Sequence, residues 1–452
     1  MKKEQVMTFL VIGGDAAGMS AASKLKRMNK NATVTVLEMT EDVSYSACGM
    51  PYNIADPDRD MDLLVVRTAD VFRQKNQINL LTGHRAEKVS PKEKKVFGTT
   101  LSGQSFEFAY DKLLIATGAR PVMPNIPGID LDCVLPLKNL SQGRLIKSFI
   151  SEKKVKKAVI IGMGYIALEM CEAFGKRGVA VSMVKPGETF LPWMQADLSQ
   201  MIQDELVQNK VALYAGKTVE CIESSQIGAR VVLDDLTLDA DIVLVAAGVV
   251  PCSELAEDAG LELGAGGAIA VDRMLKTSDP DIYAAGDCAD AYHVVSGEKC
   301  WIPLALRANR AGWAVADNIC GVKTELKGVA GTSVFKVFDL QVARTGLTVQ
   351  EANTAGFSPV ENMITARSRA HGHPGSTPIL VNMVGDKASG RLLGVQMTGT
   401  EGVAHRINAA AVALQTSMTV SEFFQSDLAY APPFGPVWDP LLTAAGQLLK
   451  KM

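Results

Sequence analysis

The chain has 452 residues, of which 47% are hydrophobic and 21% charged, and its formal net charge is −3 at pH 7. This length predicts about three domains of roughly 150 residues each, and the composition is that of an ordinary globular protein. The charge excludes the strongly basic surface typical of nucleic-acid binding. The eight cysteines are scattered without a CxxC pair, which indicates a reducing, cytoplasmic setting rather than a disulfide framework or a metal site.

The N-terminus begins with two lysines, Lys2 and Lys3, and the apolar run from Val6 to Ile12 follows, which ends directly in a glycine-rich turn. We interpret this short run as a buried β-strand rather than as a signal peptide. No stretch approaches the roughly 18 apolar residues of a membrane span, so we predict a protein that does not cross a membrane.

Two parts of the chain repeat one local plan of strand, glycine-rich turn, helix and second strand. The first copy comprises the strand Val6–Ile12, the turn 13–18, the helix Met19–Met28 and the strand Thr33–Leu37, which ends in Glu38. The second copy comprises the strand Ala158–Ile161, the turn 162–167, the helix Leu168–Arg177 and the strand Val179–Val184, which ends in Lys185. This order is that of the βαβ dinucleotide-binding unit.

Glycines in such turns let the backbone approach a pyrophosphate, and the following helix N-terminus supplies unpaired N–H groups. Glu38 lies 20 residues after Gly18, the distance at which a carboxylate accepts a hydrogen bond from a ribose. The first turn departs from the GxGxxG pattern because Asp15 replaces the middle glycine. Two turns in this context nevertheless favour nucleotide binding over plain loops.

After about residue 325 this plan changes. We predict a strand over Thr332–Val342 and an alanine-rich helix over Val403–Thr416, with no further glycine fingerprint. These features indicate a third domain of the α+β type.

Two further buried strands end in small-residue turns, in the segments 113–119 (LLIATGA) and 281–287 (DIYAAGD). With the two glycine turns, they resemble the pyridine-nucleotide–disulfide oxidoreductase family across essentially the full chain. The resemblance implies an α/β fold with two Rossmann-like domains, one for FAD and one for NAD(P)H, and a C-terminal α+β dimerisation domain. It implies an interrupted FAD domain, at 1–117 and 248–325, an NAD(P)H domain at 118–247 and a dimerisation domain at 326–452.

The motifs and the resemblance together predict the cofactor-binding residues. Asp287 is expected at the ribityl chain and pyrophosphate of FAD, and Glu169 is a candidate to orient the nicotinamide. The full predicted set is Gly13, Gly14, Ala16, Ala17, Gly18, Glu38, Ala116, Thr117, Gly118, Gly162, Gly164, Tyr165, Ile166, Glu169, Lys185, Gly248, Gly286 and Asp287.

The predicted redox chemistry lies in the segment 44–52 (SYSACGMPY). Cys48 stands in a polar turn with glycine and proline, and no second cysteine lies within five residues. This spacing excludes the CxxxxC dithiol of glutathione and lipoamide reductases. The segment resembles the single-cysteine branch, which contains coenzyme A–disulfide reductases, NAD(P)H persulfide or polysulfide reductases, and NADH oxidases and peroxidases. The resemblance implies that Cys48 lies over the flavin and cycles between a thiolate and an oxidised form.

Three positions bear on the choice within this branch. Oxidases and peroxidases carry a histidine where this chain has Ala16, which disfavours oxygen or peroxide as the acceptor. The segment 427–434 (DLAYAPPF) resembles coenzyme A–disulfide reductases, in which the tyrosine reaches the partner's cysteine, and this implies a catalytic Tyr430 and a homodimer. His373 stands where such reductases often have a tyrosine, either as a replacement proton donor or as an ordinary loop residue.

Basic residues suggest how the substrates are recognised. Lys24 and Arg27 share one face of the first helix and are candidates for coenzyme A binding, although a solvated helix face explains them equally well. NAD sites usually end the second strand of the unit with Asp or Glu. Lys185 at that position, together with Ala167 as the third small residue of the turn, favours NADPH or the use of both nucleotides.

We therefore predict an FAD-dependent NAD(P)H oxidoreductase that reduces a sulfur acceptor through Cys48. The acceptor is coenzyme A disulfide, coenzyme A persulfide or polysulfide, and coenzyme A itself is a candidate ligand. Two alternatives stay open, namely an NADH oxidase or peroxidase, and a non-enzymatic flavoprotein that senses redox state.

Overall fold

The structure is a computed structural model that describes residues 6–226 and 228–452. Within the described residues, no helix is long and apolar enough to cross a membrane. The helices and strands are numbered below in chain order.

The N-terminal part alternates strands and helices. Its elements are β1 (Thr8–Ile12), α1 (Ala16–Met28), β2 (Thr33–Leu37), α2 (Met50–Ala55), α3 (Ala69–Asn76), β3 (Asn79–Leu81), β4 (His84–Ser90), β5 (Lys95–Thr100), β6 (Ser105–Ala109) and β7 (Lys112–Ile115). Short 3₁₀ helices lie at Ala47–Gly49 and Met61–Leu64.

The middle part repeats this alternation. Its elements are β8 (Ala119–Pro121), β9 (Val134–Pro136), α4 (Leu140–Glu152), β10 (Lys157–Ile161), α5 (Tyr165–Lys176), β11 (Ala180–Lys185), α6 (Ala196–Gln208), β12 (Ala212–Ala215), β13 (Val219–Ser225), β14 (Gly228–Leu233), β15 (Thr237–Ala240), β16 (Ile242–Val245) and β17 (Val249–Pro251).

The remaining elements, which include a third 3₁₀ helix, come from the part of the chain after β17. They are α7 (Glu254–Asp258), the 3₁₀ helix Ala265–Gly267, β18 (Ile282–Ala284), β19 (Ala291–Tyr292), β20 (Lys299–Cys300), α8 (Ala305–Ile319), β21 (Ser333–Val337), β22 (Leu340–Gly346), α9 (Val349–Thr354), β23 (Pro359–Arg367), β24 (Pro378–Asp386), β25 (Leu392–Gly399), α10 (Val403–Gln415), α11 (Val420–Phe424) and α12 (Pro440–Leu449).

Two parallel five-stranded sheets form the nucleotide-binding folds. Their strand orders are β18-β7-β1-β2-β3 and β12-β11-β10-β16-β9. The central strands β1 and β10 are apolar and buried except at their first residues, as is typical of parallel sheets covered by helices on both faces. Because β18 comes from beyond residue 280 and pairs with β7, the first sheet is completed only after the chain has built the second one.

The C-terminal part is an antiparallel sheet with the strand order β21-β22-β25-β24-β23. Helix α10 packs against β22 and β25, and α12 packs against β23 and β24. The sheet and the helices packed on it form an α+β domain. The predicted fold class of two Rossmann-like domains and a C-terminal α+β domain is therefore confirmed. The domain boundaries within the chain stay predictions.

Local boundaries differ from the predicted ones in two instructive ways. Both helices of the βαβ units begin three residues earlier than predicted, at Ala16 and Tyr165, because the last residues of each glycine turn already form the first helical turn. The single strand predicted over Thr332–Val342 is wrong. A tight turn at Phe338, whose φ is +48°, divides this segment into the antiparallel pair β21 and β22.

Candidate active site

The first glycine turn joins β1 to α1 at the carboxyl end of the first sheet. A Cβ atom on Gly13, whose φ is +110°, would lie 2.2 Å from the carbonyl oxygen of Ala116, and one on Gly18 would lie 1.9 Å from that of Gly13. Both positions therefore require glycine. The turn consequently presses against the end of β7, where the predicted cofactor residues Ala116 to Gly118 begin.

Glu38 lies at the end of β2 and faces this turn. Its carboxylate accepts hydrogen bonds from the amide of Gly14 at 2.8 Å and from the amide and hydroxyl of Thr40 at 2.8 and 2.7 Å. Helix α1 starts next to it, so a carboxylate and a helix N-terminus stand together, as nucleotide sites of this fold require.

The turn after β18 completes this edge of the sheet. Gly286 has a φ of +86°, and a Cβ atom there would lie 3.1 Å from Cβ of Ala17. The buried guanidinium of Arg307 donates hydrogen bonds to the carbonyls of Gly286, Ala289 and Asp290. These contacts hold the next residue, Asp287, beside the first glycine turn. The hydrogen-bond donors, the carboxylates and the glycine turn fit an FAD molecule. Asp15 departs from this pattern, because it places a carboxyl group where such turns have glycine.

The second glycine turn has the same construction. A Cβ atom on Gly162, whose φ is +120°, would lie 2.2 Å from the carbonyl oxygen of Ala246. Gly164 precedes α5, whose first residues, Tyr165 and Ile166, are exposed. The ring of Tyr165 lies 5.1 Å from those of both Trp193 and Phe335. Gly248, with a φ of +117°, follows β16 at the same sheet edge.

Lys185 ends β11, the position that would face the ribose of a nicotinamide nucleotide. Its ammonium donates a hydrogen bond to the carbonyl oxygen of Thr189 at 2.7 Å, and burial lowers its pKa. The side chain thus folds over its own loop. A contact with a 2′-phosphate would replace this hydrogen bond, so the preference for NADPH stays a prediction.

Cys48 lies in the 3₁₀ helix Ala47–Gly49, immediately before α2. The side chain is exposed and free, yet the protein packed around it desolvates the thiol and raises its pKa. The negative charges of Glu169 and Asp287 add to this effect, and the ammonium of Lys138 opposes it. Charged groups from both nucleotide-binding folds therefore lie close enough to this thiol to shift its pKa.

Two residues of this cluster were not predicted from the sequence. Tyr52 donates a hydrogen bond from its phenol to Glu169 at 2.9 Å, and burial raises the pKa of both groups. Lys138 lies 3.1 Å from the carboxylate of Asp287. Tyr52 stands four residues after Cys48, so helical spacing could have indicated it. Nothing local marks Lys138, whose partner is 149 residues away.

His373 and Tyr430 lie on one surface of the C-terminal domain. The amide of Ala370 donates a hydrogen bond to the carbonyl oxygen of Pro432 at 3.1 Å, which joins their two loops. Arg406 donates to carbonyls on both sides, at Ser368 and Phe434. Neither His373 nor Tyr430 has a described hydrogen bond to Cys48 or to Glu169. The structure thus joins the loops that carry these two candidates, and none of the described hydrogen bonds links either of them to the thiol.

The exposed apolar residues of this surface are unusual for a monomer. Tyr430, Phe434, Val437 and Trp438 are 48 to 79% exposed. Large exposed apolar groups that lie together mark interaction sites. We call these four residues the aromatic surface.

The two candidates for coenzyme A binding differ. Lys24 forms a partly buried ion pair with Asp317 of α8 at 2.6 Å, whereas Arg27 is exposed. The ion pair holds α1 against α8, so Lys24 has a structural partner and only Arg27 is free of a described one.

Comparisons with known proteins agree with this architecture. Residues 7–312 match the pyridine nucleotide-disulphide oxidoreductase family, and residues 332–440 match the dimerisation domain of that family. An NAD(P)H sulfur oxidoreductase (CoA-dependent) from Pyrococcus furiosus is 37% identical over 98% of this chain and 99% of its own length. An NADH oxidase from Methanocaldococcus jannaschii is 33% identical over 99% of both chains.

The similarity also holds for the three-dimensional structure. The NAD-dependent persulfide reductase from A. fulgidus superposes with a TM-score of 0.95 at 36% identity, over 98% of this chain and 83% of that one. The chain therefore belongs to the pyridine nucleotide-disulphide oxidoreductase family, as its sequence predicts, and is an enzyme that uses FAD and a nicotinamide nucleotide.

Proposed function

We propose that this enzyme uses NAD(P)H to reduce a sulfur–sulfur bond in a small acceptor, which is coenzyme A disulfide, coenzyme A persulfide or polysulfide. The observation that carries the proposal is the free thiol of Cys48, the one exposed cysteine among the described residues, whose pKa is affected by charged groups from both nucleotide-binding folds, Glu169 and Asp287. The Pyrococcus furiosus relative named for CoA-dependent sulfur reduction and the A. fulgidus persulfide reductase support the choice of acceptor.

The reaction on the thiol is an exchange followed by a reduction. The Cys48 thiolate attacks one sulfur of the acceptor R–S–S–R′, a Cys48–S–S–R bond forms, and R′S⁻ leaves. When bound, FAD would supply the two electrons that the nicotinamide nucleotide brings as hydride. Reduction of the Cys48–S–S–R bond by two electrons would return Cys48 to the thiolate and release RS⁻.

The surrounding side chains have separate roles in this proposal. Lys138 favours the thiolate of Cys48 by its charge. Glu169, held by the phenol of Tyr52, stands at the start of α5, where the nicotinamide would arrive. Lys138 stabilises the thiolate and Glu169 orients the nicotinamide, whereas Cys48 forms and breaks the covalent sulfur–sulfur bonds.

The assembly that we propose is a homodimer. The aromatic surface belongs to the part of the chain that matches the family's dimerisation domain, and burial of these side chains against a second copy would remove them from water. In such a dimer the partner subunit's Tyr430 would protonate the leaving RS⁻ at Cys48, and the partner's His373 is the second candidate donor.

Steady-state oxidation of NADPH and NADH tests the proposal against coenzyme A disulfide, coenzyme A persulfide, polysulfide, peroxide and air. We expect a sulfur acceptor to give the highest kcat/KM, and Cys48→Ser to lose nearly all of that activity. Cys221→Ser, which removes a thiol from the distant strand β13, is the matched control and should behave like the wild type.

Two outcomes would contradict the proposal. Dominant turnover with air or peroxide would make the enzyme an oxidase or peroxidase, the activity named for the Methanocaldococcus jannaschii relative. Full sulfur reduction by Cys48→Ser would remove the thiol from the mechanism.

A further inference from the structure

Asp15 occupies the position in the first glycine turn where the backbone must approach the FAD pyrophosphate. Nucleotide-binding turns normally have glycine there, because a side chain would stand between backbone and phosphate. The backbone of Asp15 is extended, with φ −107° and ψ −151°, so the turn tolerates a side chain without strain. The chain therefore places a carboxyl group at the site of a dianion.

The side chain of Asp15 does not cap helix α1. The segment after β2 lies against the turn, since the amide of Ser44 donates a hydrogen bond to the carbonyl oxygen of Gly14 at 3.1 Å, and the nearby backbone amides of Tyr45 and Ala16 lower the pKa of the Asp15 carboxyl. The carboxylate of Glu38, at the end of β2, faces it as well, and is itself fixed by the amide of Gly14 at 2.8 Å. Two carboxyl groups therefore flank the cradle before any phosphate arrives.

The ammonium of Lys138 opposes these negative charges. Lys138, between β9 and α4, favours the ionised form of Asp15, but its ammonium is shared with Asp287 at 3.1 Å. The phenol of Tyr45 also faces Asp15 and stays neutral, because burial raises its pKa, as do the charges of Asp15 and Glu38. A bound pyrophosphate would add two negative charges, which the ammonium of Lys138 alone does not balance.

The electrostatics of the free protein already shift the Asp15 carboxyl toward its neutral form. Burial raises the pKa of Asp15 to about 6; the charge of Glu38 contributes in the same direction, and the Tyr45 amide, Lys138 and the Ala16 amide oppose it. A nearby phosphate would raise this pKa further. Protonation costs little near neutral pH and converts an acceptor into a hydrogen-bond donor.

We propose that Asp15 is a proton-linked determinant of FAD affinity, which binds the FAD pyrophosphate as a neutral carboxylic acid. At neutral pH the cofactor would then bind together with one proton from solvent, which the carboxyl group donates as a hydrogen bond to a phosphoryl oxygen. The proposal concerns the cofactor alone and does not depend on which acceptor the enzyme reduces.

The test is the release of FAD from the full-length holoenzyme between pH 6 and pH 8. The holoenzyme is diluted to a series of concentrations, and free FAD is measured by its fluorescence after ultrafiltration. For the wild type we expect the dissociation constant to rise by up to about fiftyfold over this range, the limit for one proton and a free-protein pKa of about 6.

Two variants separate Asp15 from other titrating groups. Asp15→Asn imitates the neutral acid and Asp15→Gly restores the usual glycine, so both should bind FAD with little dependence on pH and more tightly than the wild type at pH 8. Equal pH dependence in the wild type and in Asp15→Asn would overturn the proposal, as would a wild-type affinity that does not change with pH.

A spectroscopic measurement on the holoenzyme gives a second, independent result. The infrared carbonyl band of a protonated carboxylic acid should be present at pH 7 in the wild type and missing in Asp15→Asn. Its absence from the wild type would show that Asp15 is ionised beside the pyrophosphate, which contradicts the proposal even if a variant failed to fold.

Discussion

Replacement of Lys138 by Met should raise the pKa of the Cys48 thiol. The Lys138 ammonium favours the thiolate, and it lies 3.1 Å from the Asp287 carboxylate with 29% of its side chain exposed. Opposite charges shift a pKa when they lie within about 4–6 Å of the group, and at the upper end of that range a unit charge in an effective dielectric of about 20 contributes about 3 kcal/mol. Because Asp287 offsets part of that charge and solvent screens it, we expect about 1 kcal/mol to remain.

This energy corresponds to a rise of somewhat less than one pH unit in the midpoint of thiol ionisation. The sign follows from the loss of a cation, which destabilises the anionic form. The assay is the long-wavelength absorbance band between the thiolate and oxidised flavin, titrated with pH in the FAD-loaded protein. Loss of the band in Cys48→Ser identifies the thiol responsible.

Two variants make this result specific. Lys138→Arg keeps the charge and should titrate like the wild type. Lys94→Met removes a lysine that pairs with Asp281 at the surface and should leave the midpoint unchanged. A midpoint in Lys138→Met that is equal to or lower than that of the wild type would refute the electrostatic role given to this lysine.

Three further predictions concern the nucleotide, the assembly and stability. Lys185→Glu should reduce kcat/KM for NADPH at least about tenfold more than for NADH, because a like charge would face the 2′-phosphate; an unchanged ratio would mean that the Thr189 contact is the only role of Lys185. Inactive Cys48→Ala and Tyr430→Phe proteins, mixed under conditions of proven subunit exchange, should regain up to about half of the activity of the exchanged dimers, and no recovery would place Tyr430 outside the partner's site. Glu172 is buried between the second nucleotide-binding fold and the C-terminal domain and accepts hydrogen bonds from Lys176 and Lys336, both at 2.7 Å, so Glu172→Gln should lower the free energy of unfolding by about 1–2 kcal/mol at pH 7. Although burial alone would raise the pKa of Glu172, the two lysines lower it below its ordinary value. The stability difference between the wild type and Glu172→Gln should therefore be present at pH values above that ordinary pKa and disappear as the pH falls through the folded-state pKa. A stability difference that persists at acid pH would contradict this role of Glu172.

The sequence alone predicted what depends on short stretches of chain. The two glycine turns, their flanking strands and the alanine-rich helix of the C-terminal domain were predicted at nearly their observed positions, because tight turns, buried strands and amphipathic helices arise from neighbouring residues. The resemblance of the Cys48 segment to the single-cysteine branch was visible for the same reason. Roles of individual residues, including Tyr430 and His373, stay predictions.

Only the tertiary structure decided which distant side chains meet. It gave Lys24 an ion pair with Asp317, and it brought the ammonium of Lys138 to the carboxylate of Asp287, where its charge also favours the thiolate of Cys48. Neither ion pair has a local signature, because the two partners are 293 residues apart in the first and 149 in the second, and they meet only when the chain folds. The charge around Cys48 and around Asp15 is therefore a property of the assembled sheets, which no single motif in the chain contains.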